Sequence, residues 1–446
     1  MKISPAALAT TSRTGRSSFV QANIVVLMVA FSVVSYFDRT IMSIAAPGIM
    51  RQFALSEPQM GAIYTAFLIS YAAMNVPGGY LADRFGPRLV LAMAGLGAGL
   101  FTGLTALGGT PGLGAYLGIL PAFFCIRFAM GLCTGPLYPT CARTIENWIP
   151  RTRHGRVQGF VSAGAGLGGA TSPLLFSWMI GAYGWRMSFC IAGVATAILA
   201  LVWYGYARDY PWQHRGVVRP DEIPQLGSVK HHEKSRSSST LRRLLINPHL
   251  ILLTVSCFTV NYFDYVYFFW IYYYLAKIRH FSNVESAVAT TVVFLTGMVM
   301  SPLGGWLSDQ LVERYGEKIG RRIVPIFSLT LSALLLCVGI NLFSKVSTVV
   351  FLSLSLGFAL FADGPYWATA IRLGGKQVGA AGGILNTGAN FGGVAPYVAP
   401  LIASHFGWVW GWYSASIVLM AGVVIWFFID PTKGSDAHGI GAGSLQ

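Results

Sequence analysis

The sequence predicts an all-α membrane protein in which twelve transmembrane helices form two parallel-repeat six-helix bundles. Of its 446 residues, 54% are hydrophobic and only 11% are charged, whereas soluble domains carry about a quarter charged residues. Apolar runs of about 20 residues recur along the chain, and each is long enough to cross a bilayer as a helix. Two motifs of the first half also return in the second half at one common spacing.

The two motifs indicate an internal duplication. Tyr36-Phe37-Asp38 recurs as Tyr262-Phe263-Asp264, and Gly78-Gly79-Tyr80-Leu81-Ala82-Asp83 recurs as Gly304-Gly305-Trp306-Leu307-Ser308-Asp309. In both pairs the second aspartate follows the first by 226 residues. A repeat of about half the chain is typical of solute transporters. Because six is an even number of crossings, both repeats begin on the same side of the membrane, and the repeat is parallel.

The apolar runs define the spans. The first run follows a polar stretch and has no clean small-residue cleavage site, so we expect an uncleaved helix. The spans are predicted near residues 20–45, 58–82, 88–108, 115–138, 156–182, 186–206, 248–275, 286–310, 323–343, 347–370, 378–404 and 408–429.

These spans divide the chain into five parts. The only long linker is polar, contains several serines and is too short for a folded catalytic domain. The predicted parts are a cytoplasmic N-terminal tail (1–19), an N-terminal six-helix bundle (20–206), a cytoplasmic linker (207–247), a C-terminal six-helix bundle (248–429) and a cytoplasmic C-terminal tail (430–446).

Corresponding helices of the two halves share their interruptions. Gly135-Pro136 in helix 4 corresponds to Gly364-Pro365 in helix 10, and Gly184-Trp185 before helix 6 corresponds to Gly407-Trp408 before helix 12. Helices 5 and 11 carry glycine-rich faces, which allow helix backbones to pack closely, at residues 164–169 and 388–393.

The net charge of +15 arises from basic residues in short loops. With the N-terminus placed in the cytoplasm, 24 of the 31 Lys and Arg residues fall in predicted cytoplasmic segments and five in outer loops. This asymmetry follows the positive-inside rule, so we expect both termini in the cytoplasm and no nucleic-acid partner. The six cysteines have no paired spacing and predict neither a disulfide framework nor a metal site.

Two loop motifs resemble signature sequences of the major facilitator superfamily: Gly79-x-Leu81-Ala82-Asp83-Arg84-x-Gly86-x-Arg88 and Arg153-x-Gly155-Arg156. Within that superfamily, Tyr36-Phe37-Asp38-Arg39, Arg127-Phe128 with Gly131, and the amide- and glycine-rich start of helix 11 resemble the anion:cation symporter family. The resemblance implies the major facilitator fold and uptake of organic anions such as sugar acids, usually with protons and without a cofactor.

Two arginines lie inside the predicted spans, Arg39 in helix 1 and Arg127 in helix 4. A buried charge costs about 2.5–3.5 kcal/mol on insertion scales, so each needs a partner or a wet cavity. Arg39 is the predicted anion ligand because its guanidinium fork matches a carboxylate. Tyr36, one helical turn away, and Arg127 are also predicted substrate-binding residues. For both arginines a structural ion pair is the alternative.

Thr134 stands seven residues after Arg127, at a position where the resemblance implies a glutamate that acts as a proton site. A threonine cannot carry a proton across the membrane, but its hydroxyl can bind a substrate hydroxyl. The other predicted substrate-binding residues are aromatic or amide side chains of helices 2, 7, 10 and 11, namely Tyr71, Asn261, Trp367, Asn386 and Asn390.

Asp38 is the predicted proton-coupling residue. A substrate carboxylate that competes for Arg39 would couple anion binding to proton binding, although Asp38 could instead pair with Arg127. Asp264, the duplicate of Asp38, is either a second proton-coupling residue or a structural carboxylic acid.

The predicted gating residues lie towards the cytoplasmic ends of helices. The resemblance implies that Asp83, Arg84 and Arg88 lock the cytoplasmic side in the outward-open state. A positive-inside signal explains the two arginines but not the aspartate. Asp309 is the duplicate of Asp83, and Asp363 precedes the helix-weakening Gly364-Pro365.

These patterns favour a transporter over an enzyme or a sensor. No HExxH motif occurs, and only 16 residues follow Asp430, where a sensor would need an output domain. We expect a monomeric, multi-pass protein of a bacterial plasma (inner) membrane that imports a small organic anion, a sugar acid or another carboxylate, with protons. A proton-independent exchanger and an exporter are the alternatives.

Overall fold

The computed structural model describes residues 5–108, 118–149, 154–215, 244–374 and 378–433, without the side chains of 5–18, 154–156 and 378–380. The regular structure of these residues is entirely helical. Three predicted features lie outside the described residues: most of the linker (216–243), most of the C-terminal tail (434–446), and Arg153 of the second signature loop.

The described residues of the first half form α1 (Pro5–Phe53), α2 (Glu57–Phe85), α3 (Pro87–Thr105), α4 (Ile119–Thr134), α5 (Leu137–Trp148), α6 (His154–Tyr206) and a short 3₁₀ turn (Pro211–Gln213). The second half contains α7 (Pro248–Tyr273) with a π-helical turn (Tyr274–Ile278), α8 (Asn283–Asn341), α9 (Lys345–Leu360), α10 (Asp363–Gly374), α11 (Val378–Asn390), a 3₁₀ turn (Phe391–Val394), α12 (Ala395–Phe406) and α13 (Trp408–Trp426).

Single glycines divide the two longest helices. Gly184 in α6 has φ 77° and ψ 161°, and Gly316 in α8 has φ 78° and ψ 165°. Residues with a Cβ rarely adopt this conformation, so each glycine makes a sharp break between two rods. The break in α6 falls between predicted spans 5 and 6. In α8, helical structure runs through residues 311–322, where the sequence predicted a loop, apart from that one residue.

The helices do not coincide with the predicted spans. α1 begins at Pro5, so helical structure also runs through the described part of the predicted tail 1–19. Span 4 is broken after Thr134, because Pro136 removes a backbone donor and clashes with the preceding turn. Span 10 is broken between α9 and α10, just before Asp363. Span 11 contains a 3₁₀ turn between α11 and α12.

Among the described residues, eight helical segments are long and apolar enough to cross a membrane. Two of them, within α6 and α8, are the segments that contain the glycine breaks.

Each half packs mainly on itself. In the first half α6 packs along α1 and α3, and α4 packs along α2. In the second half α8 packs along α9 and α13, and α7 packs along α13. The two halves meet where α1 contacts α7, α2 contacts α12, and α6 contacts α8. The main buried apolar cluster is continuous across this junction.

The end of the first half is anchored by Arg88 at the start of α3. Its Nε and Nη2 atoms donate to the carbonyl oxygen of Tyr204 at 3.0 and 2.8 Å. Its backbone N–H donates to Oδ1 of Asp209 at 2.8 Å, which caps α3. Arg88 therefore ties α3 to the end of α6.

The second half ends in a related arrangement. Nε of Arg322 donates to the carbonyl oxygen of Ile429 at 2.5 Å, and Nζ of Lys318 lies 3.3 Å from Oδ2 of Asp430. Partial burial opposes ionisation of Asp430, but hydrogen bonds from Thr432 and the charge of Lys318 outweigh it and lower its pKa to about 2. The duplication thus extends to the anchors that hold the last helix of each half.

Close packing of α4 on α2 leads to a stability prediction. A Cβ at Gly131 would overlap Oγ of Ser70 and the carbonyl oxygen of Phe67, whereas a Cβ at Gly103 would meet nothing within 4 Å. Overpacking typically costs about 1–3 kcal/mol. We expect Gly131→Ala to lower the apparent melting temperature of the purified protein in detergent by at least a few degrees. Gly103→Ala is the matched control and should not lower it. Equal melting temperatures for both variants would contradict this view of the α2–α4 contact.

Candidate functional site

Arg39 projects from α1 into a group of aromatic rings. Its Cζ atom lies 4.2 Å from the ring centroid of Tyr71, 5.1 Å from that of Tyr36 and 5.2 Å from that of Phe67. The side chain is 6% exposed, and its Nε and Nη2 atoms have no hydrogen-bond partner. None of the ion pairs among the described residues includes it. The rings stabilise the cation through their faces but leave its Nε and Nη2 atoms without an acceptor.

Two tyrosines that the sequence analysis did not select complete this group. Tyr138 of α5 shares a hydrogen bond of 3.0 Å with Ser32 and lies within electrostatic range of Arg39. Tyr265 of α7 comes from the other half and lies within electrostatic range of Arg39 and Asp264. Its position next to Asp264 was the only sequence signal for it. The site is therefore built from both halves.

The predicted asparagines belong to α7 and α11 of the second half. The hydroxyl of Tyr265 donates to Oδ1 of Asn390 at 2.9 Å, and Nδ2 of Asn390 donates to the carbonyl oxygen of Asn386 at 2.8 Å. Nδ2 of Asn261 donates to the carbonyl oxygen of Cys257 at 3.1 Å. The hydrogen bond from Tyr265 thus connects Asn390 to the surroundings of Arg39.

Asp264 of α7 and Asp363 of α10 both belong to the second half. They interact electrostatically with each other, and both interact with Tyr36. Asp363 is solvent-exposed although it lies within the predicted span 347–370, and Asp264 is partly buried. Trp367, one helical turn after Asp363, is 42% exposed and interacts with its carboxylate. An accessible carboxylate inside a membrane span indicates an aqueous cavity.

Asp38 points to another side of α1 than Arg39. It is fully buried, and its Oδ2 atom accepts a hydrogen bond of 2.9 Å from Oγ1 of Thr196 on α6. Its Oδ1 atom has no partner. A small cavity beside it, lined partly by Ser35, Thr134 and Thr196, has space for about one water molecule.

Arg127 and Thr134 accompany Asp38 rather than Arg39. Nη1 of Arg127 donates to the backbone carbonyl oxygen of Asp38 at 3.0 Å, and its Nε and Nη2 atoms have no partner. No ion pair within 4.0 Å joins Arg127 to the Asp38 carboxylate, so the pairing considered from the sequence is replaced by a bond to the backbone. Thr134 donates to the carbonyl oxygen of Met130 at 2.5 Å.

Three predicted gating residues, Asp83, Arg84 and Asp309, make contacts within their own halves. Asp83 lies 3.4 Å from Nε of Arg143, and Asp309 lies 2.7 Å from Nη1 of Arg321. Arg84 is exposed, and its Cζ atom lies 5.3 Å from the ring centroid of Phe85. Among the described residues, no ion pair joins the two halves.

The two halves instead join at the opposite end, around Glu57 at the start of α2. Its Oε1 atom accepts hydrogen bonds from the hydroxyl of Tyr273 at 2.6 Å and from Nε1 of Trp408 at 3.1 Å. Deeper in the molecule, the rings of Tyr64 and Phe269 stack at 4.6 Å. These contacts close one end of the molecule between α2, α7 and α13. The sequence analysis missed Glu57 because its partners are 216 and 351 residues away.

Comparison with known proteins gives a family match. A model of the Major Facilitator Superfamily matches residues 28–315 and 311–443. The chain is 29% identical to a "Probable sulfoacetate transporter" of Cupriavidus necator, covering 93% of this chain and 94% of that protein. It is 26% identical to the "Hexuronate transporter" of Bacillus subtilis, covering 93% and 96% respectively.

Solved structures share the fold. A bacterial homologue of the human lysosomal transporter Spinster, in an inward-facing and unoccupied conformation, matches with a TM-score of 0.78 at 15% identity, covering 93% of this chain and 97% of that chain. A D-xylose-proton symporter matches with a TM-score of 0.70 at 17% identity, covering 92% and 98%. At these identities the likeness concerns the fold alone.

The hydrogen bonds at Glu57 generate a conformational prediction. Glu57→Ala removes the acceptor of both Tyr273 and Trp408, so we expect this end of the molecule to open more often. Glu57→Gln is the matched control, because its amide oxygen can accept the same two bonds. The measurement is the distribution of spin-label distances between the end of α2 that carries Glu57 and the end of α13 that carries Trp408. Identical distributions in the wild type and the Ala variant would show that the closure does not depend on Glu57.

Proposed function

Because the chain belongs to the Major Facilitator Superfamily, we propose that it is a secondary active transporter that imports a small organic anion by proton symport with alternating access. The proposed substrate is a sugar acid or another carboxylate. The relatives that support this are named for sulfoacetate, hexuronate and galactarate/D-glucarate, all of them organic anions. These relatives are named as transporters rather than enzymes.

The observation that carries the proposal is the state of Arg39. A guanidinium stays charged under all physiological conditions, and it is expensive to bury without a partner. Arg39 has two unbonded nitrogens, Nε and Nη2, and no carboxylate from the described residues beside it. A substrate carboxylate would supply the missing acceptors in a bidentate arrangement. Tyr36 and Tyr71 hold the guanidinium in place for that contact.

We propose alternating access by two halves that are hydrogen-bonded to each other around Glu57 and share no ion pair among the described residues. We propose twelve transmembrane helices with both termini in the cytoplasm. In that orientation the closure around Glu57 lies outside, and the conformation is inward-facing. The anchored ends of each half let it rock as a unit. Asp83, Arg84, Arg88, Asp309 and Asp363 would then act at the cytoplasmic side when it closes.

Coupling to protons is assigned to Asp38 and to its neighbours. Successive residues of an α-helix point about 100° apart, so Asp38 and Arg39 share the backbone of α1 but not a contact. Binding of an anion at Arg39 would shift α1 and so alter the hydrogen bond between Asp38 and Thr196. Arg127 holds the carbonyl oxygen of Asp38, so we assign it a positioning role instead of direct contact with the substrate. Thr134 lines the small cavity at Asp38.

The proposed setting is the plasma membrane of a bacterium, with the protein acting as a monomer. A proton-independent exchanger with the same anion site is the second candidate function, since Arg39 alone would suffice for it. Variants of Arg39 and Asp38 distinguish the symporter from the exchanger.

Removal of the Arg39 guanidinium tests the anion site. We expect Arg39→Ala to abolish binding of the substrate carboxylate and Arg39→Lys to recover little of it, because an ammonium lacks the bidentate fork. Calorimetric titration of the purified protein measures the effect. The matched control is Arg51→Ala, which removes an exposed cation from the same helix. Binding within a few-fold of the wild type in Arg39→Ala would reject Arg39 as the ligand.

Neutralisation of Asp38 tests the coupling. Asp38→Asn preserves the shape of the side chain and mimics a permanently protonated acid. Exchange of substrate for substrate across a liposome membrane requires no net proton movement, and we expect it to survive. Uptake driven by an inward proton gradient should fail. If gradient-driven uptake continues at the normal rate, Asp38 is not the coupling residue and Asp264 becomes the next variant to measure. If the wild type itself ignores the gradient, the exchanger is the correct alternative.

A further inference from the structure

An apolar groove lies on the surface of the first half, between α2, α3 and the junction of α4 with α5. Its volume is about 490 Å³, and it is lined by apolar side chains and the thiol of Cys133. Pro136, which breaks span 4, is part of the lining. Phe85, Leu89 and Met93 line the groove and are exposed. The groove is therefore open to whatever surrounds the first half.

The length of the groove matches one leaflet of a bilayer. Its side on α2 extends from Met74 to Phe85, which corresponds to about 16 Å along a helix axis. The hydrocarbon core of a bilayer is about 30 Å thick. In the proposed orientation Phe85 lies at the cytoplasmic end of α2 and Met74 nearer the middle of the membrane. The groove is thus long enough for one acyl chain that enters from the cytoplasmic leaflet.

An exposed cation stands at the cytoplasmic end of this groove. The Cζ atom of Arg84 lies 5.3 Å from the ring centroid of Phe85, and Phe85 lines the groove. The neighbouring Asp83 is paired with Arg143 at 3.4 Å, whereas no ion pair among the described residues includes Arg84. A guanidinium at headgroup depth attracts anionic lipids, and its fork matches the oxygens of a phosphate. The charge and the apolar groove thus complement the two parts of one anionic lipid.

The second half repeats the motif without this cation. Gln310 stands 226 residues after Arg84 and follows Asp309, as Arg84 follows Asp83. Both positions are helical, Arg84 in α2 and Gln310 in α8. The repeated helical motif therefore does not itself require an arginine there, and the arginine is particular to the half that contains the groove.

We propose that the groove binds one acyl chain of an anionic phospholipid, whose phosphate lies at Arg84 and whose chain extends from Phe85 toward Met74. This lipid site lies apart from the substrate site around Arg39 and does not depend on which anion is transported. A zwitterionic phospholipid with the same chains fits the groove but has no net negative charge for Arg84. The competing occupant is a second copy of this protein packed against the groove.

The test compares two lipids that differ only in their headgroups. The full-length wild-type protein in detergent is titrated with phosphatidylglycerol or with phosphatidylcholine of identical acyl chains. Native mass spectrometry counts the bound lipids and, in the same spectra, the copies of the chain. We expect one molecule of phosphatidylglycerol to bind about fivefold more tightly than phosphatidylcholine.

A pair of arginine variants locates the headgroup. Arg84→Gln copies the residue of the second half and should lower the affinity for phosphatidylglycerol to that for phosphatidylcholine. Arg314→Gln is the matched control, because Arg314 is exposed, lies in α8 and belongs to no ion pair among the described residues. It should retain the preference.

A pair of tryptophan variants locates the acyl chain. Met93→Trp places a bulky ring in the groove and should weaken binding of both lipids. Leu100→Trp is the matched control: Leu100 lies two turns further along α3 and is 57% exposed, compared with 60% for Met93, but it does not line the groove. It should bind both lipids as the wild type does. Ala94 is unsuitable for such a variant because it also lines the cavity at Asp38.

Each outcome decides the assignment. Equal binding of the two lipids by the wild type would overturn the inference. A preference that persists in Arg84→Gln would place the headgroup elsewhere, and unchanged binding in Met93→Trp would place the chain elsewhere; either result rejects the site. A dimer that Met93→Trp dissociates would show that a second copy occupies the groove. Arg39→Ala should bind both lipids normally, so failure of the lipid site and failure of the proposed anion transport are distinguishable.

Discussion

A charged guanidinium that is buried among rings and has free donors is the constraint on which the site depends. Removing Arg39 from water is costly, and the faces of Tyr36, Tyr71 and Phe67 return only part of that cost. A permanent carboxylate partner would compensate the remaining desolvation cost, but it would also occupy the position where a substrate carboxylate would bind. With Arg39 unpaired among the rings the protein can still fold, and a ligand carboxylate can still gain binding energy from the free donors of the guanidinium.

Two neighbouring residues of α1, Arg39 and Asp38, are positioned for different roles in the proposed mechanism. Arg39 faces the interface between the halves, whereas its neighbour Asp38 faces Thr196 inside the first half. Any link between anion and proton must therefore pass through the helix and its packing, not through a contact between the two side chains. Arg127 bonds to the backbone of α1 at this point, so it is placed to transmit a small shift of the helix. A rigid, closely packed first half is what makes such a shift effective.

The sequence predicted the helical membrane fold and the glycine break in α6 because composition, run length and glycine pairs are local signals. It also pointed to Arg39, since a charge in an apolar run is conspicuous. The duplication aligned Asp264 with Asp38 but not their surroundings: Asp38 is fully buried, whereas Asp264 is partly buried and interacts electrostatically with Asp363. A repeat fixes position along a helix, while environment depends on which helix packs opposite. Glu57 was missed for the same reason, because only the folded chain brings its partners near it.

The most direct measurement of the central claim is an experimental structure of the protein with a bound carboxylate. The account predicts that the carboxylate oxygens lie within about 3 Å of Nε and Nη2 of Arg39, with Tyr36 and Tyr71 still against the guanidinium. A carboxylate bound at Arg127 instead, with Arg39 unchanged in its aromatic surroundings, would contradict the account and make Arg39 a structural residue.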